Sequence, residues 1–277
     1  MGAQHVPQIF DRKILRVKRD RAAAQTGDYD FLHRRAADAL YERLLPVKTP
    51  LADILVWGGH TDRLCRLLAE KPATETIIWA DLSLKLLQSH NPLQLPQNCH
   101  IVAADEECVP FPEHRFDAVL SNLTLHSVND LKGALIQAQR ILKPGRPFMA
   151  AVFGGVTMAA LRQELLRLET EHTGGAAPRI APFADIRAMG NMIKALGFAE
   201  PVMDSERLDI SYTSLEDALA DLRGMGEGNI LSNRLKKPLT RRMRDGLAQH
   251  LLRQGRLTVE VEIVYMIGWS PSSKATG

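Results

Sequence analysis

Apolar and polar positions along the chain follow two periods, and the change from one to the other marks the elements. Ile54 to Trp57 is a continuous apolar run that meets Gly58-Gly59 and then a polar turn, after which Leu64, Leu67 and Leu68 fall on one helical face. This spacing predicts strand, tight turn and helix. The same alternation recurs. Strands are expected near 53–57, 76–80, 100–104, 116–121 and 147–153, and a helix near 130–142 runs into Lys143-Pro144-Gly145, a stop signal. Strands separated by helical patterns at this spacing predict an α/β, doubly wound, mostly parallel sheet.

The flanks carry different patterns. Between Ile9 and Arg21 lie six basic side chains, Arg12, Lys13, Arg16, Lys18, Arg19 and Arg21, which read as a solvated helix on the domain edge or as a polyanion-binding arm. No aromatic residue interleaves with them, so single strands have no stacking platform there. Asp30 offers a helix cap before the stripe Phe31, Ala36, Ala39, Leu40 and Leu44, and Thr157 offers another before Met158, Leu161, Leu165 and Leu168. Gly174-Gly-Ala-Ala-Pro178 ends that helix, and a further one near 184–196 stops at Gly197. Strands at 207–212 and 257–268 would close a seven-stranded sheet as an antiparallel pair, with a helical lobe inserted near 213–256. The expected organisation is a basic helical extension over 1–46, a nucleotide-binding-type core over 47–155, the rest of the fold with its lobe over 156–269, and a disordered tail over 270–277.

Composition changes this picture little. Hydrophobic residues make up 45% and charged residues 24% of the 277, ordinary for a globular protein, and a net charge of +3 does not call for nucleic acid. No run approaches a membrane span. The absence of a signal core or an amphipathic targeting pattern over Met1 to Val17 predicts a cytoplasmic protein. Cys65, Cys99 and Cys108 have no metal-ligand spacing, and their odd number argues against a disulfide framework.

Ligands on such sheets sit at the carboxyl ends of the strands. That edge gathers Gly58, Gly59, Asp81, Leu82, Asp105, Glu106 and Asn122 as candidate cofactor-binding residues. Asp81 lies about 20 residues after the glycines, where a carboxylate can hold a ribose diol; it can equally cap the helix that follows. His126 and Glu227 are the candidate catalytic residues, each with a plainer alternative, a packed core histidine and a glycine-rich loop acid. His60 reads as an exposed loop histidine. No spacing resembles a facial-triad iron site, and no Ser, His and acid grouping suggests hydrolysis, so no metal is expected.

Strand, glycine turn, acid-ended second strand, Asp-Glu after strand three and Lys-Pro-Gly before strand five together resemble a class I S-adenosylmethionine-dependent methyltransferase. Asp105-Glu106-Glu107 with Pro110-Phe111, Leu123-Thr-Leu-His126 with Val128-Asn-Asp-Leu131, and Phe153-Gly-Gly-Val-Thr157 resemble one branch of it. So do Gly174-Gly175 followed by Pro182-Phe183, Leu222-Arg-Gly-Met-Gly-Glu-Gly-Asn229, Tyr265-Met-Ile-Gly-Trp269 and Ile9-Phe10-Asp11-Arg12. That branch is the mitochondrial respiratory complex I assembly factor 5 and its bacterial relatives. A more distant resemblance is to the malonyl-carrier-protein methyltransferase of biotin synthesis.

The resemblance implies S-adenosylmethionine as cofactor, a protein substrate in a complex I iron–sulfur subunit and, in the mitochondrial members, hydroxylation of an arginine. The first superfamily motif is altered, however. With Gly59 as its middle glycine, Leu55 takes the acid position, and Trp57 and Thr61 take the outer glycines. A charged hydrogen-bond partner contributes about 1.5–3 kcal/mol, and an indole at Trp57 is expected to narrow the cofactor pocket. Weak or absent S-adenosylmethionine binding follows. Three functions remain open at this level: an enzyme on a protein substrate, an inactive scaffold or assembly factor that kept the fold, and an RNA-binding methyltransferase-like protein, against which the modest charge argues.

Overall fold

A computed structural model describes residues 6–25, 28–175, 178–253 and 256–272. Its centre is one sheet in the order β3-β2-β1-β4-β5-β8-β6, formed by β1 (Asp53–Trp57), β2 (Thr76–Asp81), β3 (Cys99–Ala103), β4 (Ala118–Asn122), β5 (Pro147–Phe153), β6 (Ala199–Tyr212) and β8 (Arg256–Trp269). The first five are parallel, and β8 runs antiparallel to both β5 and β6. The two-residue β7 (Leu252–Arg253) folds back on the start of β8. The expected seven-stranded α/β sheet with an antiparallel close is therefore present.

Alternation across β1 builds the two core layers. Ile54 and Val56 point to the layer with α2 (Phe31–Leu44) and α3 (Arg63–Ala69), while Leu55 and Trp57 point to the layer with α5 (Leu131–Ile141) and α7 (Ile186–Ala195). Lys143 holds the opposite end of the sheet, its Nζ 2.9 Å from Asp117 and 3.3 Å from Asp53. The helical lobe consists of α8 (Leu215–Gly224) and α9 (Arg241–Leu251), which packs on α6 (Ala159–Thr173). The remaining helices are α1 (Arg12–Ala22) and α4 (Leu84–Gln88). Among the described residues no helix is long and apolar enough to cross a membrane.

Three local expectations need correction. The closing strand expected at 207–212 begins at Ala199, because β6 is an edge strand whose first half is exposed and lacks an apolar run. Thr157 does not cap α6; its hydroxyl instead bonds the backbone N–H and C=O of Glu262 in β8, and Met158 stands at the N-cap with φ 54°. Asp30 occupies the N-cap position of α2, yet its side chain pairs with Arg34 at 2.7 Å rather than with the helix amides. Of the expected tail, residues 273–277 lie outside the described residues, as do Ala176 and Ala177 in the Gly174–Pro178 break.

Candidate functional site

The turn after β1 is fixed by hydrogen bonds from its neighbours. Gly58 has φ +111°, donates to the Ala80 carbonyl at 3.0 Å, and accepts from the Trp79 indole at 2.7 Å. A Cβ there would overlap the Asn122 carbonyl, so both conformation and close approach require glycine. This moves the motif frame by one. Gly58, not Trp57, is the glycine that the turn needs. Trp57 is the last residue of β1, fully buried in the core layer with Leu55 and Ala80, and it fills the interior instead of narrowing a ligand pocket.

Gly59 donates to Asp81 Oδ2 at 2.9 Å, and Ser83 donates to Asp81 Oδ1 at 2.7 Å. Asp81 thus ties the β1 turn to the start of α4, whose cap is Ser83 itself. The remaining partner is Arg19 of α1, 3.0 Å from Asp81 Oδ2, with neither side chain exposed. Burial pushes the Asp81 carboxyl above its ordinary value against the pull of Arg19.

The string continues through Arg19 to the Thr124 hydroxyl at 3.4 Å, from Thr124 to Glu106, and from Glu106 to Arg12. Arg12 also meets Asp105 at 2.5 Å. Burial raises the Glu106 carboxyl, but Arg12 and Arg19 outweigh it and hold it below the ordinary range. All three acids proposed for the nucleoside are therefore engaged by arginines of α1. Leu82, proposed beside them, packs against the small cluster of Phe10, Leu15 and Ile230.

This corrects both readings of the basic segment. Arg12, Leu15, Arg19 and Ala22 recur at helical spacing on the inward face of α1, so two of the six cations are structural partners of acids 62 to 94 residues away. The spacing was visible in the sequence, but a stripe containing two arginines does not register as apolar. The entry to α1 is pinned as well: Asp11 N–H donates to the Ile230 carbonyl at 2.8 Å, and Phe10 N–H donates to Asn129 Oδ1 at 2.7 Å.

His60, expected in an exposed loop, is buried and stacks on His33 of α2 with ring centroids 4.1 Å apart. The loop is roofed by Gly226, whose Cα faces His60 and Arg19. Burial holds both imidazoles well below their ordinary value, assisted by Arg19 and the neighbouring histidines. Asn122 Nδ2 donates to the His33 carbonyl at 3.0 Å. The two candidate catalytic residues meet: His126 Nε2 is 3.2 Å from Glu227 Oε2, and Phe153 and Phe183 pack on the imidazole. Burial raises the Glu227 carboxyl, and His126 more than offsets it. Glu227 Oε1 and His126 Nδ1 are buried without a hydrogen-bond partner among the described residues. No group of three His, Cys, Asp or Glu side chains among the described residues is placed to hold a metal ion.

The His126–Glu227 pair lies in the wall of a cleft of about 700 Å³ between α1, α6, α8 and the 226–239 loop. At Asp81, Asp105 and Glu106, the acids placed to hold a ribose diol and an adenine amine, Arg19 or Arg12 takes one carboxylate oxygen of each, and His60 and His33 pack beside the turn.

A family model described as a methyltransferase domain matches residues 55–149. The chain is 33% identical to a Danio rerio protein named arginine-hydroxylase NDUFAF5, mitochondrial, over 95% of this chain and 83% of that one. It is 29% identical to a Gallionella capsiferriformans malonyl-acyl-carrier-protein O-methyltransferase over 96% of this chain and 93% of that one. Among solved structures, a Haemonchus contortus phosphoethanolamine N-methyltransferase 2 in complex with S-adenosyl-L-methionine shares the fold at TM-score 0.53 and 14% identity, covering 86% of this chain and 53% of that one. The cytoplasmic expectation is corrected: the zebrafish, human and Dictyostelium relatives are all named as mitochondrial, which conflicts with a plain cytoplasmic assignment. Strand order, glycine turn and near-full-length identity converge, and the chain belongs to the class I S-adenosylmethionine-dependent methyltransferase family, in its NDUFAF5 branch.

Proposed function

We propose that this chain acts on a protein partner in respiratory-complex assembly and modifies an arginine side chain, the activity in the name of its NDUFAF5 relatives. One observation carries this reading: the cleft is walled at its inner end by Glu227, whose Oε1 has no partner among the described residues while Oε2 is held by His126. A buried carboxylate oxygen of this kind accepts a guanidinium N–H in a charge-assisted bond, about twice as strong as a neutral one. His126 positions that carboxylate, and Phe153 and Phe183 keep the imidazole in place. The cofactor part of the proposal is that S-adenosylmethionine binds weakly or not at all, because it must displace Arg19 and Arg12 from their acids.

Mass spectrometry of the complex I iron–sulfur subunit from a deletion strain, complemented with wild type or Glu227→Gln, tests the reading. Loss of an arginine modification that wild type restores and Glu227→Gln does not is the expected result. An unchanged modification pattern with normal assembly would remove it. The arginine-filled acids favour a second reading, a scaffold that kept the fold; failed assembly that Glu227→Gln restores, with no change in modification, would select it. Calorimetric titration separates the methyl-transfer reading carried by the carrier-protein relatives, since micromolar affinity for S-adenosylmethionine would favour it over both.

A further inference from the structure

The cleft has a charge that its inner end does not explain. Among its lining residues, Lys18, Arg21, Arg223, Lys236, Lys237 and Arg244 form no ion pair among the described residues. Two further lining cations, Arg179 and Arg234, are held by Glu169 and Asp11. Among the described residues the only acid in the lining is Glu227. Lys18 stands half-buried among these cations: burial lowers its ammonium pKa, and the charges of Arg234 and Arg21 lower it further. Cations gathered without counter-charge around a half-buried lysine are stabilised by an anion brought from outside.

Beneath this rim the cleft is apolar. Leu161, Leu165, Leu215, Leu219 and Leu222 form its floor, contributed by α6 and α8. A nucleic acid satisfies the rim but leaves the leucines unmatched, since bases stack on free aromatic platforms and the aromatics of the lining are already packed, Phe183 on His126 and Phe153, and Phe10 in the cluster with Leu15 and Ile230. A free inorganic anion leaves the floor wet. An amphipathic protein segment with acidic side chains on one face and aliphatic side chains on the other satisfies both, and 700 Å³ accommodates several side chains of such a segment.

We propose that the partner segment docking in this cleft is acidic and amphipathic, its aliphatic face on the α6–α8 leucines and its carboxylates on the cationic rim. The inference rests on the protein-acting reading above and adds the chemistry of the partner. It also resolves a conflict within that reading. The rim repels a lone arginine on its way to Glu227, so the target side chain has to be carried past it by acidic flanking residues that neutralise the cations.

The test uses the full chain and fluorescein-labelled synthetic peptides in anisotropy titrations. One peptide alternates leucine and glutamate at helical spacing, a second replaces glutamate by lysine, a third replaces leucine by serine, and a single-stranded oligonucleotide is the fourth probe. The Leu/Glu peptide is expected to bind at least tenfold more tightly than the other three, and more weakly as salt rises. Lys236→Glu with Lys237→Glu, both exposed in a loop, is expected to weaken it at least tenfold; Lys236→Gln with Lys237→Gln is expected to give a smaller loss, with the circular dichroism spectrum unchanged in both variants. Tighter binding of the oligonucleotide, or equal binding of the Leu/Glu and Leu/Lys peptides, would overturn the proposal. Failure here with a modification still lost in the deletion strain condemns only the partner chemistry. Peptide binding with an unchanged modification pattern condemns the arginine-modifying reading and leaves the docking chemistry standing.

Discussion

Arg19 and Asp81 have left water together, and each is the other's ionic compensation. Breaking a buried pair leaves an uncompensated charge and costs about 3–5 kcal/mol. Arg19→Met is therefore expected to lower unfolding free energy by that order in urea denaturation, with the buried Asp81 charge left to the Gly59 and Ser83 amides alone. Arg19→Met combined with Asp81→Asn is expected to cost less than Arg19→Met alone, because the amide oxygen still accepts from Gly59 or Ser83 and no charge is stranded. The stacked histidines give a second residue-scale expectation. Burial holds His33 and His60 well below the ordinary imidazole value, so below about pH 6.5 the unfolded chain takes up protons that the folded chain refuses. Their contribution is fully present above that pH and is lost as pH falls toward the folded values, at up to about 1.4 kcal/mol per pH unit for each ring. His33→Phe is expected to halve the slope between pH 6.5 and 5.5, measured by denaturation at each pH. Asp81, raised by burial, acts with the opposite sign as the pH falls further into the carboxylate range.

At the scale of elements, the parallel strands were readable because each is an apolar run bounded by a turn, and buried strands have no other signature. β1 and β5 match their expected ranges. The first half of β6 was not readable, since an exposed edge carries Glu200, Asp204 and Glu206 where a central strand carries valine or isoleucine. The acids at the strand ends were placed correctly on one edge, but their partners were not. An ion pair between Arg19 and Asp81 has no local pattern, only a helical stripe on α1 whose meaning depends on what it faces. His60 was misplaced for a related reason: its burial depends on His33 and on the Gly226 loop, both distant in sequence. The β1 turn yields a test of the corrected frame. Gly58→Ala combines positive φ with overlap on the Asn122 carbonyl and is expected to cost several kcal/mol, whereas Gly145→Ala, with positive φ and open space, is expected to cost about 1 kcal/mol. Thermal denaturation of the two variants side by side distinguishes them; equal costs would restore Trp57 as the glycine position.

Across the whole molecule, α1 has two working faces. Arg12, Leu15 and Arg19 close the acids at the strand ends, while Ile14, Val17, Lys18 and Arg21 stand in the cleft. One helix therefore borders both the cleft and the acids at the strand ends, and a partner that draws Lys18 and Arg21 outward is expected to loosen the pairs of Arg19 and Arg12 with Asp81 and Glu106. Linkage makes the effect reciprocal: anything that displaces Arg19 changes affinity in the cleft by the same factor.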